Sequence, residues 1–234
     1  MTRIGFSTGA LALGDFQMGL NLVRGKQINA IELSALRVHE LPELMTALPN
    51  LDLKQFSYIA IHAPSQFSAD QEDSLVMQLA DAPHRYPIIL HPDTIHDSTK
   101  WAAFGAQLVI ENMDRRKRDG RTARELSAWF DRLPSARLCF DLAHAQQYDP
   151  TMTEAFQILA HFGSKICQVH ISELDSASHH FPLSYSALQA FAEVAWDIPK
   201  SAAFIIESRI SPEQIEAEFE KVCNLIADCE PIPA

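Results

Sequence analysis

Short apolar runs recur eight times along the chain, at residues 4–7, 30–33, 58–62, 87–91, 107–111, 137–141, 166–170 and 203–207. Their length and apolar content suit strands buried on both faces. Between them lie stretches of helical character, such as QEDSLVMQLA at 71–80, TARELSAWFDRL at 122–133 and TEAFQILAHF at 153–162. After the last run, Ser211-Pro212-Glu213 offers a cap with proline at the first helical position and predicts a helix toward Cys223. Buried strands alternating with amphipathic helices make a parallel sheet covered by helices. Eight such units in 234 residues predict an α/β fold, a closed (β/α)8 barrel with short loops. An open doubly wound sheet carries a glycine-rich phosphate turn after its first strand, and Gly5-Phe6-Ser7-Thr8-Gly9 is not one. Gly9 and Gly14 are expected to serve turns in the first loop. No linker interrupts the pattern, so residues 1–234 read as one domain.

The ends of the runs carry the chemistry. Seven of the eight finish with an acid or a histidine: Glu32, His62, His91, Glu111, Asp141, His170 and Glu207. Functional groups of barrels gather at the C-terminal ends of the strands. Side-chain alternation strengthens the reading. If Glu111 points inward, so does Val109, while Leu108 and Ile110 face the helices. The same alternation sets Ile89 below His91, Cys139 below Asp141 and Ile205 below Glu207. A ring of acids and imidazoles on an apolar layer is hard to keep without cations, because nearby like charges raise one another's pKa. Asp141-Leu142-Ala143-His144 is the most specific local motif. Carboxylate plus imidazole suits zinc, manganese, iron or cobalt better than calcium.

Composition narrows the partners. Nineteen Lys and Arg against thirty Asp and Glu give a net charge of −11, which argues against a long basic nucleic-acid face. No apolar stretch is long enough for a membrane span, and the N-terminal sequence breaks too early for a signal peptide. Four cysteines without C-x-x-C spacing, Cys139, Cys167, Cys223 and Cys229, read as reduced thiols in a cytoplasmic protein. Trp101, Phe104, Trp129 and Phe130 fall at helical spacing and read as core.

The motifs IEL at 31–33, IENM at 110–113, FDLAH at 140–144, QVHISELD at 168–175 and IIES at 205–208 resemble the xylose isomerase-like barrel superfamily. That group holds sugar and sugar-phosphate isomerases and epimerases, and also endonuclease IV-like proteins. In the isomerase and epimerase members, the resemblance implies one divalent metal (Zn, Mn, Mg, Fe or Co) held by Glu111, Asp141, His170 and Glu207. Glu111 and Glu207, on opposite sides of the axis, would move a proton next to a substrate carbonyl. Glu32 would contact substrate or support the ligands. The endonuclease IV-like members add a zinc on His62 and His91 with Glu111, and a third on the His144 and His180 positions. Ser178 stands where the third site needs an aspartate, so a mononuclear or dinuclear centre is expected. His179 is the alternative to its neighbour His180.

The loop Asp114–Arg121 with Arg124 holds six of the nineteen basic residues, at the mouth of the expected site. It is either a solvated loop or a clamp in which Arg115 and Arg116 hold a substrate phosphate or carboxylate. Arg209 is a second candidate for that role, and His62 and His144 are further candidates for substrate contact. The loops after the first three strands are short and poor in Lys and Arg, which argues against a grip on duplex DNA. The sequence therefore puts first a metal-dependent isomerase or epimerase of a small sugar, sugar phosphate or related hydroxy-carbonyl compound. A metal-dependent phosphoester hydrolase comes second and a non-catalytic metal-binding barrel third. The expected partner is a small, anionic substrate, and a second subunit closing the open pocket is left open.

Overall fold

The architecture is that of a computed structural model, which describes residues 2–227. Cys229 and the rest of the C-terminal segment, like Met1, lie outside the described residues. Eight parallel strands close into a barrel: β1 (Arg3–Ser7), β2 (Ala30–Ser34), β3 (Tyr58–His62), β4 (Ile88–Leu90), β5 (Leu108–Glu111), β6 (Arg137–Asp141), β7 (Ile166–Ile171) and β10 (Ala203–Ile206). The order around the barrel is β1-β10-β7-β6-β5-β4-β3-β2. A two-stranded antiparallel hairpin, β8 (Glu173–Leu174) and β9 (His180–Phe181), rises from the C-terminal end of β7.

Helices α1 (Thr8–Ala12), α2 (Phe16–Val23), α3 (Leu41–Ala47), α4 (Ala69–Ala80), α5 (Ser98–Trp101), α6 (Ala123–Arg132), α7 (Leu142–Tyr148), α8 (Thr153–Phe162), α9 (Tyr185–Ala195) and α10 (Ile215–Ala227) fill the connections. Local sequence starts several of them. Ser68 and Gln71 form a capping box on α4, Thr122 accepts from the Glu125 amide at α6, and Ser184 accepts from the Ala187 amide at α9. The expected Ser211-Pro212 start is a short 3-10 turn that runs into α10. No helix of the described residues is long and apolar enough to cross a membrane.

Strand alternation divides the core in two. Leu108 and Ile110 belong to the large layer between strands and helices, whereas Val109, Ile89, Cys139 and Ile205 form a separate cluster inside the barrel. The thiols of Cys139 and Cys167 are buried and unpaired. Trp101, Trp129 and Phe130 are buried in the outer layer. Gly9 departs from expectation: it lies in α1, where an added Cβ would sit 2.9 Å from that of Ser34. Close packing of helix on strand, not a turn, demands glycine there. The turn itself is made by Leu13, at φ 55°.

Candidate metal centre

Asp141 ends β6 and caps α7. Its Oδ1 accepts from the His144 backbone amide at 2.7 Å, which explains the D-x-x-H spacing: the cap and the third helical residue share one turn. The other oxygen, Oδ2, is enclosed and has no hydrogen-bond partner. His170 stands beside Asp141 in the β6–β7 register. Its Nδ1 lies 3.1 Å from Glu111 Oε1, 3.4 Å from Glu207 Oε2 and 3.9 Å from Asp141 Oδ2. Glu111, Asp141, His170 and Glu207 each offer one ligand atom within 4.8 Å of the others.

A second group shares Glu111. His62 Nε2 and His91 Nε2 each lie 3.3 Å from Glu111 Oε2, and the three residues offer ligand atoms within 4.8 Å of one another. The two oxygens of Glu111 therefore face different groups, the arrangement of a bridging carboxylate. His62 Nδ1 lies 2.7 Å from its neighbour's carbonyl, Ala63 O, which fixes the ring and leaves Nε2 toward Glu111.

The electrostatics follow from enclosure. Burial, reinforced by Glu111, Glu32 and Asp141, pushes the Glu207 carboxyl up to about 8. Burial and Glu111 push Asp141 up to about 6. Burial opposes the His62 cation, but a hydrogen bond donated to Glu111 and the charges of Glu32 and Glu111 raise it to about 9. Burial likewise opposes the His170 cation, and the surrounding carboxylates hold it well above the usual histidine range. Three carboxylates around one imidazole nitrogen, with an orphaned buried oxygen among them, form a donor set that fits a divalent cation.

Of the two roles expected of Glu32, its position matches support of the ligands and not contact with substrate. It is fully buried, opposite Ala60 on β3 and two residues below His62. The β2 strand runs on to Ser34, so the glutamate sits one layer beneath the rim. There its Oε2 lies 2.9 Å from His170 Nε2 and accepts from Gln168 Nε2 at 2.6 Å. Gln168 Oε1 in turn accepts from the Tyr58 hydroxyl at 2.9 Å. Glu32 thus orients the face of His170 that points away from the ligand group, as carboxylates behind metal-binding histidines do.

Two residues without an assigned role complete the support. Asn112, fully buried, accepts from the Asp141 amide at 2.7 Å and donates to the Asp141 carbonyl at 2.9 Å, pinning that backbone. Gln168 does the corresponding work under His170. Their signal in the sequence is a single amide beside or two residues before a ligand, which many loops also show.

His144 Nδ1 lies 2.8 Å from the Asn112 carbonyl and 3.4 Å from both Glu111 Oε1 and Asp141 Oδ2. His180, on β9, is the histidine that faces the site: its Nδ1 is 2.8 Å from Ser172 Oγ and 3.9 Å from Glu207 Oε2. Burial and the neighbouring His144 charge lower it to about 3. His179 is exposed and pairs with Asp175 at 3.0 Å. Ser178 donates to Gln147 rather than to this pair of imidazoles, and among the described residues His144 and His180 belong to no third ligand group.

The basic loop stands apart from the ligands. Arg115 donates to the Ser176 carbonyl at 3.2 Å, tying the loop to the β8–β9 turn, and Arg116 lies 3.4 Å from its own loop's Asp114. Gly120 closes the loop at φ 79°, packed where a Cβ would meet Pro92. Arg209 is exposed, close enough to His180 to help lower its pKa.

The sequence model of the xylose isomerase-like TIM barrel family matches residues 98–225, more than half of the chain. No curated protein matches. A xylose isomerase domain protein from Alicyclobacillus acidocaldarius superposes with a TM-score of 0.64 at 12% identity, over 99% of this chain and all of the other. A xylose isomerase-like TIM barrel protein from Mycobacterium smegmatis, solved in complex with magnesium, gives 0.58 at 14% identity, over 96% and 97% of the two chains. A protein from Anabaena variabilis, provisionally described as a sugar phosphate isomerase/epimerase, gives 0.57 at 11% identity, over 94% and 88%. These likenesses concern the fold. Together with the match over β5 to β10, they place the chain in the xylose isomerase-like TIM barrel family.

Proposed function

We propose that the protein is a divalent-metal-dependent hydrolase of a small phosphoester. The observation that carries this reading is the division of Glu111, with one oxygen toward His170 and the other toward His62 and His91. The sequence alone favoured an isomerase, because the four residues Glu111, Asp141, His170 and Glu207 suffice for one cation. The complete second group reverses that order. Paired cations suit in-line displacement at phosphorus, whereas proton transfer beside a carbonyl needs only one.

When bound, divalent ions at these residues supply positive charge to phosphoryl oxygens and ease the ionisation of an attacking water. Hydrolysis forms a bond from water oxygen to phosphorus, breaks the ester P–O bond and delivers one proton to the departing alkoxide. In this reading His144 gives that proton and regains one from the attacking water. Burial opposes its cation, but Asp141 and Glu111 raise its pKa above the ordinary histidine value, which favours a proton on the ring. His180, lowered to about 3, stays neutral and presents a hydrogen-bonding face. The cleft beside the mouth, about 500 Å³ and lined by Gln66, Asp93, Arg116, Lys117 and Arg118, suits an anionic substrate.

The second reading, an isomerase or epimerase acting on a sugar, sugar phosphate or related hydroxy-carbonyl compound, is favoured by Glu207. A carboxyl raised to about 8, across the ligand group from Glu111, suits a residue that gives and takes a proton. Elemental analysis and a His91→Ala variant separate the two. The hydrolase reading expects two ions per chain and release of phosphate from p-nitrophenyl phosphate that falls to background in His91→Ala. One ion per chain, with aldose–ketose turnover indifferent to His91→Ala, replaces it with the isomerase.

A further inference from the structure

The opposite end of the barrel carries a feature that the metal centre does not use. A cavity of about 720 Å³ opens at the N-terminal ends of the strands, between the start of β1, the approach to β3 and β4, and the start of β6. Its lining includes Arg3, Lys54, Arg85 and Arg137 against a single acid, Asp81. In a chain with eleven more acids than bases, four cations to one acid is a local reversal of sign. None of the four is ion-paired with a carboxylate among the described residues.

Two guanidinium groups lie over tyrosine rings, Arg3 at 5.3 Å from the centroid of Tyr58 and Arg85 at 5.0 Å from that of Tyr86. Contact with a ring restrains the guanidinium and leaves donors free for an incoming oxyanion, although Arg85 also donates to the Tyr86 hydroxyl at 3.2 Å. Arg3 is further fixed by donation to the Ser201 carbonyl. Arg3 and Arg137 both act on the buried Cys167 thiol, which places them around the same end of the barrel lumen. Much of the rest of the lining is apolar, with Met45, Leu48, Leu53, Phe56 and Pro87. The volume lies within the range of small-molecule sites.

We infer that this cavity is a second ligand site, taking a small molecule in which a phosphate is joined to a flat apolar body. Arg3, Arg85 and Arg137 hold the phosphate, and the apolar lining with Tyr86 takes the body. A purely structural role needs no such surplus, because cations kept only for solubility gain nothing from being gathered in one concave place. The site is independent of the reaction at the other end of the barrel.

The test is a titration of the metal-loaded, 13C-methyl-methionine-labelled protein with phenylphosphonate, whose P–C bond a phosphoester hydrolase does not cleave. Met45 lines the cavity, and Met113, two residues past Glu111, reports on the metal centre. Saturable movement of the Met45 resonance is expected, with a Kd below about 1 mM and a midpoint separate from that of any movement of Met113. Arg137→Gln and Arg85→Gln should each weaken binding roughly tenfold. Arg85 is exposed, so its variant keeps the fold if Arg137→Gln does not. A Met45 signal that stays still to about 10 mM, or that moves equally in a folded Arg85→Gln variant, overturns the site. Inorganic phosphate acting on Met45 at the same midpoint as phenylphosphonate overturns the part given to the apolar wall.

Discussion

Two sets of buried carboxylates in this protein are treated in opposite ways. Glu72, on α4 outside the barrel, is fully enclosed and surrounded by donors fixed by the chain: the His96 amide at 2.9 Å, the Asp97 amide at 3.1 Å and the Trp101 indole at 3.0 Å. Glu218, on α10, accepts from the Leu183 amide at 2.7 Å, the Ser208 hydroxyl at 2.5 Å and Lys221 at 2.7 Å. At the barrel rim, Asp141 Oδ2 has no donor, and Glu111 and Glu207 look toward one another's charge and toward imidazoles. Burial alone therefore does not mark a functional acid. The mark is whether the donors around it are supplied by the fold or left to an ion.

The largest expected effect tests that distinction directly. Glu111→Gln removes the one side chain common to both ligand groups, so bound metal and turnover should both be lost. The metal-dependent rise of the thermal midpoint seen in the wild type should vanish with them. Retention of two tightly bound ions in this variant would show that the groups do not depend on Glu111. A smaller effect is expected one layer down. Gln168→Leu removes the amide that donates to Glu32, leaving every ligand in place, and should weaken metal affinity roughly 10- to 100-fold. Isothermal titration after chelation reads this without any substrate, and unchanged affinity would reduce Gln168 to packing.

The other set should respond in stability alone. Glu72→Gln replaces an acceptor with an amide NH2 facing backbone donors, at a cost of about 1–3 kcal/mol. For a chain of this size that lowers the midpoint by roughly 2–12 °C. Metal content should match the wild type. Loss of metal in Glu72→Gln would break the separation between the two sets.

Much of this arrangement was legible in the sequence because strand period is two. Once Glu111 is taken as inward, Val109 and the apolar floor follow, and all eight runs became barrel strands within about one residue at either end. What could not be read was depth and partnership. Glu32 looks equivalent to His62 on the page, yet β2 continues to Ser34 and leaves it one layer lower. Asn112 and Gln168 act through partners on other strands, and nothing local says which amide will face which ligand. His180 opens the two-residue strand β9 while His179 lies just before it, a boundary that adjacent identical residues do not reveal. Gly9 was mistaken for a turn residue because the close approach to Ser34 comes from a strand 25 residues away.

The finest test of the comparison is the pH dependence of stability in the metal-free protein. Glu207 and Asp141 are raised above their ordinary values of 4.5 and 3.8, to about 8 and about 6. Between those limits the folded protein keeps protons that the unfolded chain has released, so stability is lost as pH rises. His62, raised from 6.5 to about 9, acts in the same sense: its contribution is whole below 6.5 and gone above 9. Glu72 is lowered from 4.5, burial being outweighed by the indole and amide donors, so its contribution exists above 4.5 and is lost as pH falls. His180, lowered to about 3, opposes this trend below pH 6.5, so thermal midpoints in EDTA should decline from about pH 6.5 to pH 9, by a few degrees once coupling within the ring is allowed for. A saturating divalent ion replaces the protons at Glu207, Asp141 and His62, and should flatten this limb while leaving the contribution of Glu72 on the acid side unchanged. Equal slopes with and without the ion would mean that the rim acids titrate without regard to metal. The contrast between donors supplied by the fold and donors supplied by an ion would then be lost.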